Sequence, residues 1–203
     1  DKWGRNKYGT PPQGNADYAF FQHILASMKP GSGRCAILYP HGILFRDQEK
    51  EMREKIVAAD LIECVIGLGP NLFYNSPMKS CIVICRTNKP ADKKGKILFV
   101  NAVEQILEER KISKLLPEHR LAISEAYTNW TDVEGFSRVV DIEEIQANQS
   151  RLSIPLYLKT HSDDGDQREL PEVLGEWLQS SNELRASMDD LFEMLDEFND
   201  NTE

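Results

Sequence analysis

Apolar side chains recur three and four positions apart over residues 16–28, where Phe20, Phe21, Ile24, Leu25 and Met28 share a helical stripe. Pro30 and Gly31 end that pattern. The period then changes. Cys35, Ala36, Ile37, Leu38 and Tyr39 form an unbroken apolar run, as in a strand covered on both faces, and Pro40, His41 and Gly42 break it. Residues 47–59 return to helical spacing, charged outside, with Met52, Ile56 and Val57 inward, and residues 62–66 are a second apolar run. Strand, helix and strand in this order predict a βαβ unit with parallel strands and a right-handed crossover.

The next connection is of another kind. Residues 67–79 carry Gly, Pro, Asn and Ser without helical periodicity and lead into a third run over 80–85. A parallel return to the same sheet needs a crossover helix, so this strand is predicted antiparallel to its predecessor. A further strand is expected over 96–100 after an exposed turn. Helical pattern covers 103–126, broken near Pro117, and an extended segment over 136–140 leads into a helical turn from Asp141. A flexible acidic linker spans 160–168, and Pro171 is placed to open a last helix. There Leu184, Met188, Leu191, Leu195 and Phe198 step by four, three, four and three, a heptad seam that Leu174, Trp177 and Leu178 extend upstream. The organisation expected is a sheet-bearing part over 1–102, a helical and extended extension over 103–160, and an acidic linker with an amphipathic helix over 161–203.

Charge sharpens this division. The net charge of −9 is an average over unlike parts. Residues 161–203 hold 14 acidic side chains against Arg168 and Arg185, a balance of −12, which leaves +3 for the other 160 residues. A body so weakly basic lacks the dense cationic stripe of a protein that grips phosphates alone, so any nucleic acid must be held largely by a partner. No run of 18 apolar residues is long enough for a membrane-spanning helix. The four cysteines, Cys35, Cys64, Cys81 and Cys85, have no metal-ligand spacing; they read as structural thiols of a reducing cytoplasm. His23, His119 and His161 share no ligand spacing either, and no metal site is expected.

Several stretches in order resemble one family. They are the segment from Gly14 to Leu25, then Met28-Lys29-Pro30, Leu38-Tyr39-Pro40-His41-Gly42-Ile43-Leu44-Phe45-Arg46, Ile66-Gly67-Leu68, Asn71-Leu72-Phe73-Tyr74, the run from Cys81 to Arg86, and Phe136-Ser137-Arg138-Val139-Val140. Over residues 3–158 the chain resembles DNA-adenine methyltransferase (modification) subunits of type I restriction-modification systems. The resemblance implies an α/β fold: the C-terminal half of a Rossmann-like, S-adenosylmethionine-dependent methyltransferase sheet ending in an inserted antiparallel strand, followed by C-terminal helices. It also implies methyl transfer to adenine N6 in DNA. That family carries a Gly-rich cofactor loop after its first strand and an Asn/Asp-Pro-Pro-Tyr/Phe tetrapeptide after its fourth. Neither is here: the one Pro-Pro, Thr10-Pro11-Pro12-Gln13, has no carboxamide before it and no aromatic after it, and Gly31-Ser32-Gly33 precedes a strand. The expectation is a C-terminal portion that is inert alone, with no catalytic residue of its own.

The resemblance places Phe73 against a flipped adenine, with Tyr74 adjacent and Asn75 within reach of a base edge. Pro40, His41 and Gly42 end the first strand, at the sheet edge where α/β proteins bind ligands, and are expected to shape the pocket. Phe20 lies on the helix that would border S-adenosylmethionine. The seam of Leu184, Met188, Leu191, Leu195 and Phe198 is the expected partner interface. The partners implied are a specificity subunit, a second modification subunit, a restriction subunit in the full complex, and double-stranded DNA with its adenine flipped out. The competing reading is a non-catalytic interaction module that keeps the methyltransferase sheet and uses its helical tail for binding.

Overall fold

The computed structural model describes residues 3–74, 76–109, 112–158, 174–175 and 177–188. The chain divides into two compact units, residues 1–160 and 161–203.

In the first unit a five-stranded mixed sheet forms from β1 (Arg34–Pro40), β2 (Ile62–Leu68), β3 (Ser80–Arg86), β4 (Lys96–Ala102) and β7 (Ser137–Asp141), in the spatial order β1-β3-β2-β4-β7. Strand β3 runs antiparallel to both β1 and β2, so those two share one direction without touching. The loop chemistry of residues 67–79 thus yields the reversed strand it predicts, inserted between the members of the βαβ unit. The sheet continues past β2: β4 lies parallel to it, and β7 is a second reversed strand, antiparallel to β4.

Each face has its own cover. On one face lie α1 (Asp17–Ser27), α2 (Lys50–Ala58) and α4 (Ile142–Ala147). Tyr18, Phe21, Gln22 and Leu25 of α1 are buried, an i, i+3, i+4, i+7 set, while Phe20 on the outer side is exposed. Met52, Ile56 and Val57 of α2 point inward as their spacing predicts, joined by Arg53. That buried guanidinium donates from Nε to Ser150 O at 2.9 Å and from Nη1 to Arg46 O at 3.0 Å, tying α2 to two loops. Residues 151–158 close this face, with Leu152, Ile154, Tyr157 and Leu158 buried and the Tyr157 ring stacked on Phe99 at 4.5 Å.

Helix α3 (Pro117–Asn129) covers the other face over β2 and β4, where Cys64, Ile66, Leu98 and Val100 are buried against Ala126 and Ile123. Its cover stops short of the outer strands. Ala36 and Leu38 of β1 are exposed on this face beside half-buried Ile82 and Ile84 of β3, and β1 is the sheet's end strand. At the rim, buried Glu63 pairs with Arg86 (3.2 Å) and Lys93 (3.7 Å) and accepts from Tyr127 OH at 3.0 Å; Tyr127 OH accepts in turn from Arg34 at 2.7 Å.

Residues 103–116 correct the sequence reading. The described ones are not helical: β5 (Leu107–Glu109) and β6 (Ile112–Lys114) pair antiparallel as a hairpin, and Pro117 opens α3 instead of interrupting a longer helix. Proline suits a first helical position, where its missing N–H has no intrahelical partner.

In the second unit residues 177–188 are helical, and Leu174, Trp177, Leu178, Leu184 and Met188 are exposed. Leu191, Leu195 and Phe198 of the seam, and Pro171, lie outside the described residues.

Candidate functional site

Pairing sets the location. Pro40 is the partner of Ser80, Ser80 of Leu68, and Leu68 of Ala102, so one row across β1, β3, β2 and β4 marks a single end of the sheet. From that end spring the turn after β1, the loop joining β2 to β3 and the segment after β4. The parallel strands β1, β2 and β4 all present their carboxyl ends here, the edge where open α/β sheets take ligands.

After β1, Pro40 leads into a single 3-10 turn, His41–Leu44. The His41 backbone N–H donates to Lys79 O at 3.4 Å, joining this turn to the end of the β2–β3 loop. Its imidazole is packed inward. Among the described residues Nε2 is buried without a hydrogen-bond partner, and a Cβ placed on Gly67 would stand 3.6 Å from it. Burial pushes the His41 pKa below the ordinary value; the Ser80 carbonyl opposes that shift and the charge of Lys79 adds to it. Burial therefore favours the neutral form of the ring. The same Cβ on Gly67 would lie 2.6 Å from Ile154 Cδ1, so glycine there lets residues 151–158 close on the strand.

Gly42 serves a neighbouring contact. A Cβ at this position would lie 3.3 Å from Arg46 Nε, and Gly42 O accepts from the N–H groups of Phe45 (3.2 Å) and Arg46 (3.0 Å). Arg46 pairs with Asp17 through a short ionic hydrogen bond and with buried Glu49 at 3.0 Å. Burial raises the Glu49 pKa, while the positive charge of Arg46 opposes it. Together with the Tyr18 hydroxyl donating to Ile43 O (3.2 Å) and the Tyr39 hydroxyl to Asp17 O (3.4 Å), this network pins the start of α1 to the end of β1. The sequence reading missed Asp17, Arg46 and Glu49. Ordinary charged residues in a loop and a helix gave no signal that they would meet.

The β2–β3 loop carries the aromatic candidates. Asn71 takes the left-handed conformation at φ 58, and Leu72 turns in against the core under α3. Phe73 then opens a tight turn in which the Ser76 N–H donates to Phe73 O at 3.1 Å. Phe73 is 39% exposed and Tyr74 96%, and neither ring stacks on another aromatic ring among the described residues. Asn75 lies outside the described residues. Flat, unpartnered rings on a loop fixed at both ends can stack on a planar guest.

The structure thus gathers Pro40, His41 and Gly42 with the end of the β2–β3 loop, and sets Phe73 and Tyr74 at that loop's outer turn. Phe20 projects from the outer side of α1, and no hydrogen bond or ring contact joins it to the others. A second feature went unread in the sequence. The Ser113 N–H of β6 donates to Asn71 O at 2.8 Å, so the β5–β6 hairpin is bonded to the aromatic loop. Among its described residues the one buried side chain is a polar serine, which hides the alternation that marks a strand.

Comparison with known proteins shows the family. The family model for N-6 DNA methylases matches residues 1–166. The type I restriction enzyme MjaVIII methylase subunit of Methanocaldococcus jannaschii is 39% identical over 192 residues, covering 93% of this chain and 32% of the relative. The HindI methylase subunit of Haemophilus influenzae is 31% identical, covering 89% of this chain and 44% of that subunit. The chain therefore spans less than half the length of these curated relatives. Among solved structures, the type I restriction-modification methyltransferase subunit from Streptococcus thermophilus superposes with a TM-score of 0.69 at 30% identity, over 73% of this chain and 31% of that one. The EcoKI M protein shares the fold at a TM-score of 0.60 and 18% identity, covering 90% of this chain and 45% of its own.

Proposed function

From the premise that the chain belongs to the N-6 DNA methylase family, we propose that it forms the target-base side of a type I modification subunit that methylates adenine N6 in DNA. The carrying observation is the aromatic turn, Phe73 and Tyr74, on the loop into the inserted reversed strand at the ligand-binding end of the sheet.

The chemistry explains what such a side must supply. Adenine's exocyclic amine is a weak nucleophile because its lone pair is delocalised into the ring, so the base must leave the duplex and be held still. A ring the size of Phe73 stacked on the extruded base contributes about 1–3 kcal/mol. Pro40, His41 and Gly42 bound the floor beside it, with His41 neutral and giving shape instead of a proton. Asn75 is assigned to the base edge by sequence position alone.

S-adenosylmethionine is the methyl donor the family implies, and the Gly-rich loop that would cradle it is absent from the sequence. The glycine at the β1 strand-to-helix junction, Gly42, has its free space filled by Arg46. The acceptor tetrapeptide is likewise absent from the sequence. Phe20 is the one residue assigned to border the cofactor, and its exposure suits a surface awaiting a neighbour. The unpaired edge of β1, with Ala36 and Leu38 bare beside it, is where a longer sheet carrying those groups would continue. Alone, the chain transfers no methyl group.

The assembly partners belong to the same reading: a specificity subunit that sets the DNA target, a second modification subunit, and a restriction subunit in the full complex, all in the cytoplasm. Exposed Leu184 and Met188, with Trp177 and Leu178 upstream, offer an apolar stripe on an acidic segment that a partner helix would cover. The test is to express the longer polypeptide carrying this sequence with its specificity subunit in a host without adenine methylation, and to read N6-methyladenine across the genome by long-read sequencing. A recurrent methylated motif is expected. Unmodified adenine throughout refutes the reading.

A further inference from the structure

The β5–β6 hairpin does nothing for the main core. Leu107 and Ile112 are exposed, as are Glu108, Glu109 and Lys114, and its inward side chain is Ser113. Such a hairpin is not kept in place by apolar burial of its own. What it touches is the aromatic loop. Ser113 N–H donates to Asn71 O at 2.8 Å, two residues before Phe73. The loop's entry is equally close-fitted, since a Cβ on Gly69 would meet Val103 O at 2.5 Å and Ile106 Cδ1 at 2.7 Å, both atoms of the segment leading into the hairpin. Leu72 and Leu115, one on each side of the bond, reach into the same core cluster under α3. Asn71 is held left-handed, a conformation that asparagine and glycine accept more readily than other residues, and this turns its carbonyl toward Ser113.

We propose that the β5–β6 hairpin is a brace that fixes the aromatic turn, with Asn71 and Ser113 as positioning residues for capture of the extruded base. This rests on the functional reading above and adds to it where the rigidity of the loop comes from. A stacking ring loses less freedom on binding when the loop beneath it is already ordered. The brace therefore acts through Phe73 and Tyr74 without touching the base.

Two variants break the bond from opposite sides in the assembled enzyme. Ser113→Pro removes the donor, and Ser113→Ala keeps it. Asn71→Ala strains the left-handed carbonyl, and Asn71→Gly keeps it. Hydrogen exchange at Leu72, Phe73 and Tyr74 is expected to speed up at least about ten-fold in S113P and N71A, with β2 and β4 amides still protected. In the same variants kcat for adenine methylation falls by roughly ten- to a hundred-fold, while Kd for duplex DNA is unchanged, because misplacement of the base is felt at the chemical step. Rescue by S113A and N71G is expected in both measurements. Unchanged exchange in N71A overturns the brace. Faster exchange with unaltered kcat overturns the positioning role and leaves a merely structural hairpin. A wild-type enzyme that leaves adenine unmethylated brings down the functional reading and this role with it, whatever the exchange rates are.

Discussion

At His41 burial outweighs the pull of the Ser80 carbonyl, so the folded protein takes up a proton there less readily than the unfolded chain does. A depressed histidine pKa contributes stability above the unfolded value of about 6.5 and loses it as pH falls below that toward the folded value. Urea midpoints are accordingly expected to drop between pH 7.5 and 5.5, and His41→Gln to flatten that drop. Glu63 makes a different prediction. Its carboxylate is shut from solvent and faces Arg86, Lys93 and the Tyr127 hydroxyl, so Glu63→Ala strands two cations near the sheet rim. Because those partners are partly exposed, the cost belongs at the low end for a broken buried pair, about 3 kcal/mol by urea denaturation. At Phe73 the expectation concerns activity. In the assembled enzyme Phe73→Ala loses on the order of ten- to a hundred-fold in methylation rate through lost stacking, with folding unaffected. Tyr74→Ala loses less, and equal losses would move the stacking role to Tyr74.

Among elements, those with one clean period were legible. Helix α1 and strands β1, β2, β3 and β4 stand within two residues of the bounds their apolar runs suggest, because each buries a continuous stripe or face. Residues 103–116 misled for a physical reason. Their Glu, Arg, Lys and Leu content favours helix, and no glycine or asparagine marks a turn, yet the Ser113 N–H is taken by Asn71 O in a long-range bond that no local propensity contains. The network of Asp17, Arg46 and Glu49 was illegible in the same way, since it depends on α1 folding back to the end of β1. Residues 151–158 show the converse. They hold little beyond the 3-10 turn Ile154–Leu156, and still bury Leu152, Ile154, Tyr157 and Leu158. A chain ending at residue 150 is expected to lose cooperative thermal unfolding, because Phe99 loses its stacked partner and Gly67 its neighbour Ile154.

For the whole molecule, topology was readable from one loop. A connection without a crossover helix forces a reversed strand, and that reasoning gives β3 its direction before any resemblance is invoked, though not its place between β1 and β2. Where β4 and β7 lie could not be read, since strand order depends on which faces the helices cover. The whole-molecule expectation is that the 203-residue chain transfers no label from S-adenosylmethionine to DNA, and that adding the rest of the longer polypeptide in trans restores transfer. Label transfer by the chain alone would refute the division of the site. The inserted strand has one more consequence, for biosynthesis. β1 and β2 leave the ribosome before the strand that lies between them, so the edges they turn toward each other stay unpaired until β3 has emerged. Until then the nascent protein displays bare edges of two apolar strands, a target for holdase chaperones and for misassembly with other chains on the same polysome. A translational pause placed when β2 has cleared the ribosome and β3 has not should therefore lower the soluble yield more than the same pause placed once β3 is out.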